Sequence, residues 1–543
     1  MQNQIEQPVY RAIDLYSGVG GWSLGLRMAN IEIVSSYEWW SVAADTQRLN
    51  LGDRVTELDI RKLDLSELPT DIDIVVGSPP CTQFSYANRG GSGDIADGLK
   101  DVYKFLEVVE HVSPQYWVME NVPRVAGILE RELSNGGQLV RFREIVDDIK
   151  VVDCSDFGLP QRRKRMLAGS FPSNRLDSYA AHSSKCTLGQ VIRALGLKTV
   201  RDPIYGNTLF AEELTDNDYE DVLDDEELRL NRDSKQFHRI YNIMPFPEPQ
   251  DRTSRTITAA ETRVSRESLI VEDAGEYRRL SLRERATLQG FPITYQFYGK
   301  SYSDRQKMIG NAIPPLLTYL IGRAITNISA EIVHEVPYAY SHELPLGLPT
   351  RAKRRVAAQK YRWDRRFRSV IPNLRFGSGV RFELSNEFEG NNVYWEVSFF
   401  YGASKNYRRV RPNEGMCERL LDSFDSGLVE EFSKERVSLE ERLQAISASG
   451  VQRVWNHSHG SGIGPFGVLD ILGETVAVLL EKCDSVDREL VESAVRTALN
   501  GDSDEYETFI SSKKGKEINV TVIVGLLVGS WVNSMGTGKS KGD

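Results

Sequence analysis

Residues 12–38 read as strand, glycine-rich turn, helix and strand, and this unit restricts the fold more than any other stretch. Ala12-Ile13-Asp14-Leu15-Tyr16 is a short apolar run, as expected of a strand. Ser17-Gly18-Val19-Gly20-Gly21 follows, then a helical pattern from Trp22 to Met28. Ile31 to Tyr37 is a second strand and ends in Glu38-Trp39. Glycines at 18, 20 and 21 permit a tight turn and the close approach of a ligand to the backbone. An acid at the end of the second strand can accept both hydroxyls of a ribose. Together, Gly18–Gly21 and Glu38 point to a cofactor that contains adenosine. Trp39 has two readings, a stacking surface for adenine and a core residue. Asp59-Ile60, after a third strand candidate, is placed to receive the adenine amino group.

Ile72 to Val76 is a further buried strand, and Gly77-Ser78-Pro79-Pro80-Cys81-Thr82-Gln83-Phe84-Ser85 leaves it. Two prolines stiffen that exit, and Cys81 falls where an open α/β sheet presents its ligand-binding edge. Alone, the stretch is equally a turn with a small apolar residue, since free cysteine is usually inert packing. Tyr86 to Asp97, rich in Gly, Ser and Asn and containing Arg89, reads as a lid or an ordinary surface connection. Leu99 to Val112 is a helix with Val102, Phe105, Leu106 and Val109 on one face. Gln115 to Met119 is a strand closed by Glu120-Asn121-Val122-Pro123. If these strands are parallel, Glu120 shares a sheet edge with Cys81. Further on, Gln161, Arg163 and Arg165 alternate, so on a strand they project together. By itself that run is a solvated basic strand or a phosphate-binding patch.

The length of 543 residues corresponds to about three to four domains. The five cysteines (81, 154, 186, 417 and 483) form no Cys-x-x-Cys pair, which argues against a disulfide framework or a zinc site and fits a reducing compartment. No signal peptide is evident, and Val520 to Val532 is too short to cross a bilayer. A net charge of −10 neither marks nor excludes a nucleic-acid partner, because a local basic surface decides that.

The ordered motifs resemble those of the DNA (cytosine-5) methyltransferase family. Asp14 to Gly21 resembles the family's cofactor loop, with Tyr16 where Phe is usual. Pro79-Pro80-Cys81 resembles its nucleophile motif, Glu120-Asn121-Val122 its acid motif, and Gln161-x-Arg163-x-Arg165 its arginine motif. Arg279 to Glu284 with Leu288-Gln289-Gly290-Phe291-Pro292, and then Gly310-Asn311-Ala312-Ile313-Pro314-Pro315, resemble its two late motifs. A second departure is Thr82, where Gln commonly follows the nucleophile.

The resemblance covers residues 12 to about 325. It implies an α/β fold: a Rossmann-like class I methyltransferase domain with a mixed, mostly parallel sheet, interrupted by a small target-recognition domain. The expected boundaries are 1–171 and 277–330 for the catalytic domain and 172–276 for target recognition. The implied catalytic residues are Cys81, Glu120, Arg163 and Arg165. S-adenosylmethionine is the implied cofactor, held by Tyr16, Ser17, Gly18, Gly20, Gly21, Glu38, Trp39, Asp59, Ile60, Pro80, Leu99, Asn311 and Ile313, with no metal. The implied substrate is double-stranded DNA, contacted by Ser85, Arg89 and Gln161. A cognate restriction endonuclease fits the same picture, as do a monomer, no membrane, and the cytoplasm of a prokaryote or its phage. The cofactor loop begins near residue 12, which leaves no room before it for regulatory domains.

Within 172–276, the run Glu212 to Glu227 contains no Lys or Arg and is expected to be solvent-facing or disordered, since it repels phosphate. Arg252, Arg255 and Arg263 are the expected DNA contacts. Residues 335–543 are read as an α+β accessory domain. In it, Arg351 to Arg381 carries eleven Lys/Arg and one acid, Asp364, and reads as an added nucleic-acid surface or a solvated linker. Val380–Leu384 and Val393–Tyr401 read as a hairpin, and 415–447 and 467–499 as mostly helical. Gly538-Lys539-Ser540 lacks the first glycine of a phosphate loop, and His457 with His459 lacks further metal ligands. A nicotinamide-dependent oxidoreductase fits the first unit but leaves Cys81, Glu120 and the arginines unexplained. The tRNA-methylating branch is disfavoured by the absence of its Cys-Phe-Thr signature. A bifunctional or regulatory protein, whose tail binds DNA or partners, is the third reading.

Overall fold

The run expected at 12–16 is β1 (Arg11–Leu15), an interior strand of a seven-stranded sheet. This computed structural model describes residues 10–84, 94–217, 221–236, 244–332, 344–345, 347–350, 361–376, 380–390, 392–401, 407–444, 446–458, 462–484, 486–498 and 515–535. They divide into two compact units, with described residues 10–350 and 361–535.

In the first unit, β1 is followed by β2 (Glu32–Glu38), β3 (Val55–Glu57), β4 (Ile74–Gly77), β5 (Tyr116–Asn121), β6 (Asp148–Asp153) and β7 (Lys164–Ser170). Their order is β3-β2-β1-β4-β5-β7-β6. The first five strands pair in parallel, and β7 runs antiparallel to both β5 and β6. Side chains alternate across the sheet: Ala12, Ile74, Val76 and Val118 enter one apolar cluster, and Ile13, Leu15, Val75 and Met119 the other. With both faces covered, β4 is apolar throughout, as buried parallel strands are. The direction of winding reverses between β1 and β4, so their carboxyl ends, Tyr16–Gly21 and Ser78–Cys81, flank the crevice where such sheets bind ligands.

The first helices are α1 (Gly21–Met28), α2 (Ser41–Leu51), α3 (Ile95–Val112) and α4 (Arg124–Leu133). The third begins four residues before the expected Leu99, because Asp94 caps it, accepting from Asp97 N at 3.1 Å. The remaining helices of this unit are α5 (Ser173–Ala180), α6 (Leu188–Leu195), α7 (Asp225–Gln236), α8 (Leu282–Leu288), α9 (Tyr302–Asn311) and α10 (Pro315–Ile325). The last returns to the first: Thr318 Oγ1 donates to Gly21 O at 2.8 Å, and a methyl at Gly25 would overlap Thr318 Oγ1. A stretch some 300 residues downstream thus packs against the helix that follows β1.

Short pairs β8 (Thr199–Arg201) with β9 (Thr208–Phe210) and β10 (Ile270–Asp273) with β11 (Glu276–Arg279) occupy the interval expected for target recognition. One apolar cluster there joins Leu188, Ile192, Ile257 and Val271 to Leu280, Leu288 and Ile293. The hairpin of β10 and β11 straddles the boundary drawn after 276, while Leu176 and Tyr179 of α5 pack in the same apolar cluster as Ala12 and Val76 of the seven-stranded sheet. The acidic run is not uniformly solvent-facing. Asp216 is buried and paired with Arg283, Glu227 pairs with Arg263, and Asp224 accepts from Glu227 N at 2.8 Å near the start of α7. Arginines elsewhere in the chain pair with Asp216 and Glu227, which the run's own composition could not reveal.

The second unit holds a four-stranded antiparallel sheet, β12 (Arg368–Phe376), β13 (Val380–Glu389), β14 (Asn392–Tyr401) and β15 (Tyr407–Val410), in that order. The expected hairpin is β13 and β14. Helices α11 (Glu414–Leu421), α12 (Ser426–Arg442), α13 (Ala448–Trp455), α14 (Gly467–Cys483), α15 (Arg488–Ala498) and α16 (Gly515–Ser534) follow. The last is apolar on every side and buried from Val520 to Val532, so it lacks the period that marks a surface helix. Among the described residues, no helix is long and apolar enough to cross a membrane. The described part of the basic run carries its own counter-charges: Arg366 pairs with Glu387, and Arg368 and Arg381 with Glu383. Residues 351–360 and 377–379, His459 and Gly538–Ser540 lie outside the described residues. His457 stacks on Tyr361, with ring centroids 4.9 Å apart.

Candidate active site

The turn after β1 takes positive φ at Tyr16 (55°), Gly18 (56°) and Gly20 (79°). Glu38 ties this turn to the end of β2, accepting from Gly18 N at 2.8 Å and from Trp40 N at 2.7 Å. Burial pushes the Glu38 carboxyl up, while the N–H groups of Trp40, Gly18 and Trp39 hold it down. Three N–H groups leave the carboxylate with acceptor capacity for a ribose hydroxyl. The glycines divide their work differently from expectation. A side chain at Gly18 would meet nothing within 4 Å, so only this glycine leaves open space for a ligand. At Gly20 a Cβ would lie 2.8 Å from Gln47 Cγ, and at Gly21 it would overlap the Ile313 carbonyl. Those two are small because α2 and the approach to α10 cross them.

Gln47, which has no sequence signature, supports the turn from below. Its Oε1 accepts from Ser17 Oγ at 2.7 Å, and its Nε2 donates to Ser23 Oγ, Ser36 Oγ and Asp53 Oδ2. Trp39 is 65% exposed, which removes the reading of it as core and leaves its ring open for stacking. Asp59 is exposed and Ile60 buried, Leu99 is buried on α3, and Ile313 is buried beside the exposed Asn311.

The nucleophile stretch is fixed at several points. Trp22 Nε1 donates to Ser78 Oγ at 3.1 Å, Asn121 Nδ2 to Pro79 O at 3.0 Å, and Phe84 N to Cys81 O at 3.0 Å. Arg124 reaches Phe84 O at 3.2 Å. Cys81 is half-buried, with Pro80 beside it. Parallel pairing of β4 with β5 brings Glu120 to the same edge, where Arg165 Nε stands 2.7 Å from Glu120 Oε1. Burial pushes the Cys81 thiol up, Arg165 pulls it down, Glu120 raises it, and Arg163 lowers it. Those four residues therefore share one electrostatic site. Cys154 also feels these charges, but full burial drives its thiol up to about 12, which leaves it inert.

Arg163, 1% exposed, donates to Ile257 O at 3.2 Å, Gly310 O at 2.9 Å and Ala312 O at 3.0 Å. Burial, and then Arg165, push it down to about 9. It braces the stretch before Ile313. Gln161 departs from its expected role as a DNA contact. It is fully buried, with Nε2 2.7 Å from Gln289 Oε1 and Oε1 2.8 Å from Ile257 N. The reason is local: β7 starts only at Lys164, and Gln161 bridges to Ser254 instead of lying on a solvated strand. Arg255 and Arg263 are likewise turned inward, onto Glu248 at 2.7 Å and Glu227 at 2.6 Å. Arg252 is exposed. Ser85 and Arg89 lie outside the described residues.

Residues 10–327 match the family model of the C-5 cytosine-specific DNA methylases. The Type II methyltransferase M.FnuDI of Fusobacterium nucleatum is 28% identical over 334 residues, which are 58% of this chain and 94% of that protein. The Type II methyltransferase M.HindV of Haemophilus influenzae is 30% identical over 336 residues, 60% of this chain and 99% of that protein. The solved structure of the S. pombe Dnmt2 methyltransferase covers 59% of this chain and 99% of its own, at 21% identity and a TM-score of 0.39. With the family model spanning more than half of the sequence, the chain belongs to the C-5 cytosine-specific DNA methylases and is a DNA cytosine-5 methyltransferase.

Proposed function

We propose that this enzyme methylates carbon 5 of a cytosine flipped out of a specific duplex sequence, through a transient bond between Cys81 Sγ and carbon 6. The observation that carries the reading is Cys81 at the end of β4 beside the Glu120–Arg165 pair, across the crevice from the Gly18 turn. Carbon 5 of cytosine is a weak nucleophile. Addition of the Cys81 thiolate at carbon 6 turns the ring into an enamine, and Glu120 delivers a proton to ring N3 as the charge develops. Arg165 orients Glu120 and lowers the Cys81 thiol. S-adenosylmethionine supplies the methyl cation equivalent when bound. The fit to that cofactor rests on the open space at Gly18, the remaining acceptor capacity of Glu38 and the exposed ring of Trp39. A water molecule then takes the carbon 5 proton, Cys81 leaves as thiolate, and the N3 proton returns to Glu120, which restores the aromatic ring. A stacked base offers no face to Cys81, so the target must leave the helix.

Target recognition belongs in this reading to the interval 172–276, with Arg252 the candidate base or phosphate contact left among the described arginines assigned to it. The relatives above are named Type II methyltransferases, which makes a cognate restriction endonuclease the proposed partner. The test is expression in a host without cytosine methylation, followed by bisulfite mapping. One methylated motif is expected, and its absence with folded protein present would refute the function. Duplex DNA with 5-fluorocytosine at the target isolates the chemistry. Fluorine cannot leave as a proton does, so a covalent adduct accumulates, and Cys81→Ala abolishes it.

A further inference from the structure

Arg61 follows the proposed adenine contacts Asp59 and Ile60 directly, yet its guanidinium turns away from them and grips the start of α3. Nε and Nη2 donate to Asp101 Oδ1 and Oδ2 at 3.0 and 2.7 Å. Nη1 donates to Asp97 Oδ1 at 3.0 Å, and Nη2 also to Asp97 O at 2.9 Å. One planar fork thus holds two carboxylates and a carbonyl on successive turns, a geometry that lysine cannot copy. The same Asp101 receives Tyr16 from the other side: Tyr16 Oη is 3.2 Å from Asp101 O and 3.4 Å from Asp101 Oδ1. Asp101 is therefore shared between the glycine turn and the 3-10 turn Ile60–Lys62 that follows β3.

The first turn of α3 also rests on the nucleophile turn. Asp94 N donates to Gln83 Oε1 at 2.9 Å. A Cβ at Gly98 would fall 2.6 Å from Phe84 Cζ, so the helix backbone lies against that ring. Phe84 in turn donates its N–H to Cys81 O. A continuous path runs from Ile60 through Arg61 and α3 to residues 81–84.

We propose that Arg61 is a positioning residue that holds the Cys81 turn in register with the cofactor wall, and that Tyr16 Oη closes the same link from the glycine turn. The inference rests on the proposed function, since it takes residues 59–60 and the glycine turn as cofactor contacts and Cys81 as nucleophile. It assigns a use to the hydroxyl that distinguishes Tyr16 from the family's usual Phe. Because coupling between two ligands is reciprocal, cofactor bound at one end and DNA at the other report on the same link.

The experiment uses the full chain, S-adenosylhomocysteine as the binding probe, and duplex DNA carrying 5-fluorocytosine in the mapped motif. Arg61→Ala is expected to slow Cys81 adduct formation at saturating S-adenosylmethionine by about tenfold or more, as small misplacements of reacting groups do. It is also expected to bring the ratio of DNA affinities with and without S-adenosylhomocysteine closer to one. Tyr16→Phe shifts both readouts in the same direction by less. A parental adduct rate at saturation, with only the cofactor KM raised, overturns the link, since that is what a local contribution to cofactor binding produces. A thermal shift with S-adenosylhomocysteine establishes that the Arg61→Ala pocket is folded. If it is not, Tyr16→Phe, which removes one oxygen, decides the matter, and a parental rate there overturns the proposal. Should the parent form no adduct, both the reaction and the link are overturned; equal rates in parent and Arg61→Ala overturn the link alone.

Discussion

Arg165 Nε lies 2.7 Å from Glu120 Oε1, and the pair bridges two antiparallel strands, β5 and β7. Glu120 pairs in register with Leu167, so Arg165, two residues earlier, projects from the same face. Glu120→Gln keeps the shape of the side chain and removes the exchangeable proton. Single-turnover methyl transfer is expected to fall by about 10²–10⁴-fold, the usual contribution of a general acid, with S-adenosylhomocysteine binding unchanged. Transfer at the parental rate would dismiss Glu120 as the acid.

Cys81 should give an unusual pH profile for a nucleophile. Burial raises its thiol above the ordinary 9.0, and Arg165 is the strongest opposing influence. The thiolate fraction of the free enzyme is therefore small at neutral pH and grows as pH rises. Iodoacetamide labelling of Cys81, followed by mass spectrometry, is expected to accelerate about tenfold per pH unit with no plateau below the ordinary thiol range. Arg165→Ala removes the main lowering influence and shifts the curve to still higher pH. A shift to lower pH would contradict the assigned electrostatics.

The placement of the candidate site was legible because it depends on short segments at the ends of paired strands. Gly18, Cys81 and Glu120 sit at the ends of strands, and parallel pairing of those strands brings them to one edge. The surroundings of Gln161, Arg255 and Arg263 were hidden for the opposite reason. Their partners Gln289, Glu248 and Glu227 are distant or unremarkable in sequence, so a basic or polar pattern looked solvated where it is internally satisfied. Gln47 and Arg61 carry no motif, and only the folded register of α2 and α3 reveals what they hold. The last helix, α16, escaped because Val520 to Val532 is apolar apart from the buried Thr521 and Ser530, which leaves no helical period to detect.

Asp14 lies at the bottom of the cofactor turn, wholly buried, accepting from Ser23 Oγ at 2.7 Å and Ser23 N at 3.2 Å. Burial pushes its carboxyl up to about 8, against the Ser23 bonds and with Asp53 adding to the rise. The folded chain thus keeps a proton that the unfolded chain releases near its ordinary 3.8. Stability from this group is complete below that value and is lost as pH rises towards about 8. Asn at 14 retains an oxygen for Ser23 and never ionises. Urea unfolding should show Asp14→Asn gaining on the parent from about pH 5 to about pH 8 and holding a constant lead above that. Parallel stability curves across this window would mean that Asp14 is ionised throughout.

The acidic run supplies the last expectation, through Asp216 and Arg283. Both are buried; Arg283 Nε and Nη2 donate to Asp216 Oδ1 and Oδ2 at 2.8 Å each, and Nη2 also reaches Tyr295 O at 2.8 Å. Arg283 N further donates to Asp216 O at 3.1 Å, so the segment at 216 is bound to α8 by backbone and side chain. Asp216→Ala leaves a guanidinium buried without its counter-charge, and the cost expected is about 3–5 kcal/mol. Replacing both residues with apolar ones of similar volume, Asp216→Leu with Arg283→Met, removes the stranded charge and should recover much of that loss. Added salt should change the parental value little, because a pair this deep is weakly screened. Denaturant titrations of the parent, the single variant and the double variant separate the cases. A single variant within about 0.5 kcal/mol of the parent would be the result expected of a solvated surface acid, and would return Asp216 to the exposed face that composition alone suggests.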